Sequence, residues 1–381
     1  MTASIEPFEI HVSALVLDDL GDRLTATRFP DEIDDTGWDY GIPMSYLREL
    51  VEYWRDGYDW RAHEAELNAL GNFCTDIDGQ SIHFVHARSP HPDAMPLLLV
   101  HGWPGSIVEF LDVIPRLTDP ENFGGRAEDA FHVIAPSLPG YGFSEPPRTR
   151  GWDPVRIARA FIELMHRLEY PSYGAQGGDW GAQVVTRLGA LDPQHCAAIH
   201  LNMPIATPPA DQLQITEEER TDLAAFKKFQ SEESAYALEQ GTKPQTIGAA
   251  LNDSPAGLLA WIVEKFRAWS DCDGDPENAF TRDRLLTNVM LYWVTRTAAS
   301  SARLYRESRL AILNGEKPQF VEIPTGVARY PKEVLRYPRS WVEQHYNITH
   351  WAVMPRGGHF AAMEQPELFV DDLRTFFRPV R

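Results

Sequence analysis

Short runs of hydrophobic residues recur from Met95 onward, and each run is followed by a glycine-rich turn and then by a helical pattern. The runs lie in the stretches PLLLVHGWPG, FHVIAPSLPGYGFS, SYGAQGGDWGAQVVTRL and CAAIHLNMP. Parallel strands that are covered by helices on both faces are near-continuous hydrophobic runs of this kind. The succession of runs and helices therefore predicts an α/β fold, in which crossover helices connect the strands of an open sheet.

Two other patterns precede and interrupt this one. An amphipathic helix pattern, MSYLRELVEYW, and a hairpin signal with Asp-Gly at its turn, FCTDIDGQSIHFVHA, come first. Long helical patterns such as SPAGLLAWIVEKFRAW later replace the strands, which return in FVEIPTGVA and THWAVMP before a closing amphipathic helix, QPELFVDDLRTFF. We predict an N-terminal arm (1–95), a sheet domain in two parts (96–203 and 319–381) and a helical lid (204–318) inserted between the two parts.

Composition excludes some classes of partner. The 381 residues are 43% hydrophobic and 24% charged, which is usual for a globular protein with a sizeable core. The formal net charge of -20 would repel nucleic-acid phosphates and anionic lipid, and the chain has no run rich in Lys and Arg. We therefore expect neither nucleic acid nor a membrane as a partner.

The cysteines and the first residues bear on metal sites and location. Cys74, Cys196 and Cys272 are odd in number, lie far apart and form no C-x-x-C pair, which fits neither a disulfide framework nor a zinc site. The first thirty residues lack a basic segment before a long apolar run, and no window approaches 18 uninterrupted apolar residues. We expect reduced cysteines, no metal and a cytoplasmic location.

The stretch GAQGGDWGAQV places an acid, Asp179, where many hydrolases place a serine. A nucleophile elbow is a sharp turn from a strand into a helix, and small residues flank the nucleophile because larger side chains would clash there. Gly177 and Gly181 occupy those flanking positions. Asp179 could also be only the N-cap of the following helix, since Asp is common there. The neighbouring motifs favour the nucleophile.

The first of these motifs is HGWPGS, residues 101–106, which directly follows the predicted strand Leu97–Val100. In α/β-hydrolases the loop after this strand and the residue after the nucleophile supply two backbone N–H groups to a developing oxyanion. Trp103 and Trp180 are the corresponding residues. We predict that their N–H groups form the oxyanion hole.

The second motif, MPRGGHFAAMEQPELF, places His359 in a glycine-rich loop between the last strand and the last helix. The chain order in an α/β-hydrolase is nucleophile, acid, histidine, so the acid should lie between the lid and His359. Glu333, in IPTGVARYPKEVL, lies closest to the preceding strand end. Most other histidines have ordinary surface or core positions. His83 and His86 should point to opposite faces of one strand, which disfavours a shared metal site.

In combination, HGWPGS, GGDWG and PRGGHFAA resemble the motifs of epoxide hydrolases of the α/β-hydrolase fold. The similarity covers nearly the whole chain and is greatest to the microsomal-type branch, which has an N-terminal arm before the hydrolase core. The resemblance implies that Asp179 is the nucleophile, Glu333 the charge-relay acid and His359 the general base. It also implies that Tyr236, in SAYALEQGTKPQTIG, and Tyr305, in SSARLYRES, polarise the epoxide oxygen.

The resemblance implies that an epoxide becomes a vicinal diol through an ester on Asp179, with no cofactor. The leading hydrophobic segment of membrane-anchored members is missing at the start, which favours the soluble bacterial and fungal relatives. Some of those act in antibiotic biosynthesis, including on enediyne precursors, and others act in detoxification. The many aromatic residues of the lid hint at an apolar, aryl or bulky epoxide.

Two alternatives remain open at this point. A haloalkane dehalogenase shares the fold and the Asp nucleophile, but would need halide-binding N–H donors in place of the tyrosine pair. A non-catalytic relative could use the same pocket to bind a ligand, although the set of predicted catalytic residues is complete. The sequence does not fix the oligomer, and the arm could reach a second subunit of a homodimer.

Overall fold

The computed structural model describes residues 4–207 and 215–381, and its centre is one twisted sheet. The strands within these residues are β1 (Glu6–Pro7), β2 (Asn72–Ile77), β3 (Gln80–Ala87), β4 (Met95–Val100), β5 (Phe131–Pro136), β6 (Tyr173–Gly177), β7 (Cys196–Leu201), β8 (Val321–Arg329) and β9 (Tyr346–Val353). Their order across the sheet is β1-β2-β3-β5-β4-β6-β7-β8-β9. Pairing is antiparallel from β1 to β5 and parallel from β5 to β9.

Helices connect and cover these strands. They are α1 (Ala14–Thr25), α2 (Met44–Asp56), α3 (Trp60–Asn68), α4 (Ile114–Thr118), α5 (Pro154–Arg167), α6 (Asp179–Leu191), α7 (Glu217–Glu232), α8 (Ala235–Thr242), α9 (Pro244–Leu251), α10 (Pro255–Trp269), α11 (Arg282–Thr295), α12 (Ala298–Leu313), α13 (Arg339–Val342), α14 (Ala361–Glu364) and α15 (Pro366–Phe377). We call α7 to α12 the cap. No helix in the described part of the chain is both long and apolar enough to cross a membrane.

The hydrophobic runs of the sequence form the centre of the sheet. Residues 97–100 of β4 are fully buried, because parallel neighbours flank the strand and helices cover both faces. Helix α15 packs directly on one face, where a Cβ at Gly174 or Gly326 would overlap the ring of Phe377 or Phe376. The predicted α/β fold, with α/β-hydrolase architecture, is confirmed.

The N-terminal segment joins both the sheet and the cap. The predicted Asp-Gly hairpin is present, with Asp78 and Gly79 both at positive φ between β2 and β3, and β3 pairs antiparallel with β5 of the main sheet. On the other side, the Tyr53 hydroxyl donates a hydrogen bond to Asp283 of α11 at 2.7 Å. The segment therefore holds α11, and with it the cap, against the rest of the molecule.

The cap lies between β7 and β8 in sequence, where the strand pattern stops. The domain boundaries given above stay predictions, and residues 208–214 of the predicted lid lie outside the described residues. The thiols of Cys74, Cys196 and Cys272 are free.

Candidate active site

Strand β6 ends at Gly177 and helix α6 begins at Asp179, so the acid lies on a sharp turn at the carboxyl edge of the sheet. Asp179 has φ +49, a left-handed conformation that costs a non-glycine residue roughly 1–3 kcal/mol. A Cβ at Gly181 would overlap the Val100 carbonyl oxygen of β4. The N-cap of α6 is Gly178, so capping does not account for the acid.

Two backbone amides hold the Asp179 carboxylate. The Trp103 N–H donates to Oδ1 at 2.8 Å, and a hydrogen bond from the Trp180 N–H also lowers the pKa of this carboxyl. A Cβ at Gly102 would overlap the same carboxylate, so only glycine allows the loop to approach this closely. The two predicted oxyanion donors therefore both face the carboxyl group of Asp179.

His359 lies opposite Asp179 and is oriented by Glu333. Its Nε2 is 3.6 Å from Asp179 Oδ2, and its Nδ1 is 2.6 Å from Glu333 Oε1. Glu333 follows β8, and its side chain is buried. The loop that carries the histidine is fixed to the cap, since the His359 N–H donates to the Trp269 carbonyl at 2.9 Å.

The pKa values of Asp179 and His359 depend on their burial and on each other's charge. Burial raises the pKa of Asp179, while the nearby His359 and the two amides lower it. Burial alone lowers the pKa of His359, but the carboxylates around it, Glu333 foremost, raise it to about 9. At neutral pH the resting site therefore holds a protonated imidazole between carboxylates.

The two predicted tyrosines lie on helices of the cap, on the side that covers Asp179. Tyr236 of α8 stacks on Trp103 with ring centroids 5.0 Å apart, and Tyr305 of α12 meets Trp180 edge to face at 4.7 Å. Their own rings are 5.8 Å apart, and both side chains are buried. Burial raises the pKa of both hydroxyls, so both keep their protons at neutral pH.

Three polar groups of this aromatic enclosure are buried without a well-aligned hydrogen bond to any described residue. They are the Tyr305 hydroxyl and the indole N–H groups of Trp180 and Trp269. An unpaired buried donor is costly, so such groups mark positions where a ligand supplies the missing partner. The Tyr305 hydroxyl is therefore a candidate donor to an acceptor oxygen of a bound molecule.

The structure thus brings together every residue that the sequence predicted for the site. It adds others that the sequence did not indicate. Trp269, one of the aromatic residues of the predicted lid, contacts both Tyr236 and His359, with ring centroids 5.1 Å apart in each case. Glu109, four residues after Gly105, lines the same site. The available signal was an acid within the apolar run IVEFL that follows HGWPGS.

Among the described residues, one group of side chains has the spacing of metal ligands. His166, Asp192 and His195 lie near one another at the amino ends of β6 and β7, the opposite edge of the sheet from Asp179. His195 and Asp192 are directly hydrogen-bonded at 2.6 Å. The ring of His83 is hydrogen-bonded to Ser137 and Asn72, whereas the ring of His86 is hydrogen-bonded to Tyr170. The two histidines therefore have no shared partner, in agreement with their predicted opposite orientations.

Comparison with known families and proteins agrees with this geometry. The family model "Epoxide hydrolase N terminus" matches residues 5–110, and the model "alpha/beta hydrolase fold" matches residues 95–257. The curated protein "Epoxide hydrolase 1" of Sus scrofa is 41% identical over 401 residues, covering 98% of this chain and 88% of that protein.

Solved structures of two eukaryotic enzymes are similar over nearly the whole chain. The juvenile hormone epoxide hydrolase of the silkworm Bombyx mori superimposes with a TM-score of 0.91 at 35% identity, covering 100% of this chain and 95% of the other. The Aspergillus niger epoxide hydrolase gives a TM-score of 0.88 at 34% identity, with coverages of 99% and 97%.

Proposed function

Since the chain belongs to the epoxide hydrolases of the α/β-hydrolase fold, we propose that it converts an apolar epoxide to a vicinal diol through a covalent ester on Asp179. One observation carries this proposal. A carboxylate held by two backbone amides faces a pair of protonated tyrosines across an apolar enclosure. That arrangement suits attack on an alkyl carbon, because the nucleophile needs no base and the leaving oxygen needs a proton.

In the first step Asp179 Oδ2 attacks a ring carbon and the carbon–oxygen bond of the epoxide breaks. The oxygen leaves as an alkoxide and takes a proton from Tyr236 or Tyr305. The resulting tyrosinate regains its proton from the protonated His359. An ester with a neighbouring hydroxyl results, and the histidine becomes the free base.

In the second step His359 takes a proton from water, and the hydroxide attacks the carbonyl carbon of the Asp179 ester. The oxyanion forms against the N–H groups of Trp103 and Trp180, and such a donor typically contributes about 2.7–4 kcal/mol. Collapse releases the diol oxygen, which takes the proton from His359. The second water proton returns to the histidine as the carboxylate reforms.

Esterification also prepares the base. The charge of Asp179 is one of those that raise the pKa of His359. An ester is neutral, so the pKa of the imidazole falls once the substrate is attached. His359 is therefore a free base during hydrolysis of the ester, the step in which it must take a proton from water.

The walls of the enclosure support an apolar, aryl or bulky substrate. Three tryptophans, Trp103, Trp180 and Trp269, surround the tyrosine pair, and aromatic rings of this kind favour apolar or aryl groups. Hydrolysis of styrene oxide, measured beside chloride release from simple haloalkanes, tests the function. Diol formation without chloride is expected, and chloride release without diol would contradict it. The cytoplasmic location, the homodimer and a role in biosynthesis or detoxification stay predictions.

We expect Tyr236→Phe and Tyr305→Phe each to slow ester formation by about 10- to 100-fold, and the double variant to slow it further. Each substitution removes one donor to the departing oxygen. Loss of one preorganised oxyanion donor typically costs about 10²–10³-fold in rate, and the remaining tyrosine reduces that cost here. Rapid-quench measurement of the ester checks this. Tyr173→Phe is the control, because the Tyr173 hydroxyl donates to Asp192 at 2.9 Å, remote from the site. Unchanged ester formation in the double variant would contradict the assignment.

Glu333→Gln is expected to move the pH profile of ester hydrolysis to lower pH and to reduce its plateau. The Glu333 carboxylate is the main cause that raises the pKa of His359 to about 9, so a neutral amide lowers that pKa. The base form then appears at lower pH, while its orientation is less well fixed. Single-turnover rates over about pH 6–10 measure both effects. An unchanged profile with a normal rate would mean that another carboxylate orients the histidine.

A further inference from the structure

Glu109 is a buried acid beside the nucleophile that the two steps above do not use. It lies in the helical turn Ile107–Phe110 directly after the loop that carries Trp103, and its N–H donates to the Ser106 carbonyl at 3.0 Å. A Cβ at Gly105 would overlap the Glu109 carboxyl group. The side chain is therefore folded back over the loop, towards the site.

The Glu109 side chain lines a small cavity that reaches both Asp179 and His359. The cavity has room for about one water molecule. The cavity is thus sized for the second reactant, water, and lies between the group that becomes the ester and the base.

The polar lining of this cavity also suits water. Gln176 and Asn202 line it beside Glu109. The Gln176 amide donates to Asn202 Oδ1 at 3.0 Å, but its own Oε1 is buried and has no hydrogen-bond partner among the described residues. A buried water commonly makes two to four hydrogen bonds to such groups. The site therefore offers several partners in addition to the imidazole.

The protonation of Glu109 fits a role in hydrogen bonding. Burial raises the pKa of its carboxyl to about 8, with His359 lowering and Asp179 raising it. At neutral pH the group is mostly the neutral acid, which can donate one hydrogen bond and accept others. A neutral acid also avoids competing with Asp179 as a nucleophile, because the attacking form is the carboxylate.

We propose that Glu109 binds the hydrolytic water in this cavity and holds its oxygen against the ester carbon while His359 takes the proton. The inference rests on the proposed ester on Asp179. Its consequence is specific to one step: attack of the carboxylate on the epoxide needs no water, whereas hydrolysis of the ester does. A merely structural Glu109 would affect both steps together.

The test separates the two rates in single turnovers by rapid quench and mass measurement of the peptide that bears Asp179. In Glu109→Leu we expect ester formation within about threefold of wild type and hydrolysis slowed by about 100-fold, as expected for a misplaced reactant. Glu109→Gln should keep most of the hydrolysis rate, because an amide also donates and accepts. Glu109→Ala replaces the leucine variant if that one does not fold.

Asp112→Leu is the matched control, because it removes an acid of the same segment that pairs with Arg284 at 3.0 Å at the surface. Both of its rates should remain at wild-type values. Wild-type hydrolysis in Glu109→Leu, or equal slowing of both steps, would overturn the role of Glu109. Absence of any ester in the wild type and in His359→Gln would instead overturn the ester mechanism itself.

Discussion

Replacing Asp179 with alanine is expected to abolish diol formation, with a loss of roughly 10⁴-fold or more, as for other covalent nucleophiles. The reason is positional. Asp179 is the acid held by the backbone amides of Trp103 and Trp180 beneath the tyrosine pair. The nearest substitute, Glu109, is mostly protonated at neutral pH because burial raises its pKa to about 8. Steady-state hydrolysis of styrene oxide measures the loss.

The fold should survive this substitution. Alanine keeps the short side chain that the elbow requires, and it removes a buried acid whose pKa burial raises. Its cost is the left-handed backbone at φ +49, about 1–2 kcal/mol for a residue with a Cβ. Asp78→Ala is a matched control, because Asp78 has φ +56 in the β2–β3 turn, remote from the site. Urea denaturation should show a similar decrease in the free energy of unfolding for both variants, whereas only Asp179→Ala should lose activity. Retained diol formation in Asp179→Ala would mean that the nucleophile is another residue.

The parts of the site that the sequence predicted are those that depend on backbone geometry. The elbow at Asp179 needs glycines on either side, because the Val100 carbonyl leaves no room for a side chain at Gly181. Such requirements leave a fixed local spacing in the sequence. His359 was predictable for a related reason, since its glycine-rich loop joins the last strand to the closing helices.

The cap residues could not be predicted in this way. Tyr236 and Tyr305 lie 69 positions apart on two helices, and their neighbours in sequence do not distinguish them from tyrosines of an ordinary helical core. They meet because α8 and α12 pack together over the elbow. Only the family resemblance indicated them. Trp269 and Glu109 had no such support, because their roles arise from packing between segments far apart in sequence.

The same packing explains how the N-terminal segment bears on the site. Arg284 of α11 pairs with Glu66 of α3 through two hydrogen bonds of 2.8 Å, and the Trp54 indole of α2 donates to Met290 of α11 at 3.2 Å. The cap therefore packs on the N-terminal helices as well as on the sheet. A cap fixed from two sides holds the tyrosines at a constant distance from Asp179, as proton donation to the departing oxygen requires.

His359→Gln should separate the two chemical steps most clearly. Glutamine cannot take a proton from water, so we expect hydrolysis of the ester to slow by about 10²–10⁴-fold. Ester formation depends on Asp179 and the tyrosines and should continue. The peptide that bears Asp179 should then gain the mass of the substrate and keep it, whereas the wild type loses it within the turnover time.

Glutamine also limits the structural disturbance at this position. His359 is buried, and its Nδ1 is 2.6 Å from Glu333 Oε1, so a side chain without a donor would remove this hydrogen bond from a buried acid at a cost of about 1–3 kcal/mol. The glutamine amide N–H can still donate to Glu333. The double variant with Asp179→Ala is the control and should show no added mass, because the acceptor is gone. An adduct on a different peptide would mean that the nucleophile is a residue other than Asp179. A different conclusion would follow if His359→Gln gave no adduct and the wild type were inactive on a broad panel of epoxides. Those two results would favour a relative that binds a ligand in the same site without catalysing a reaction.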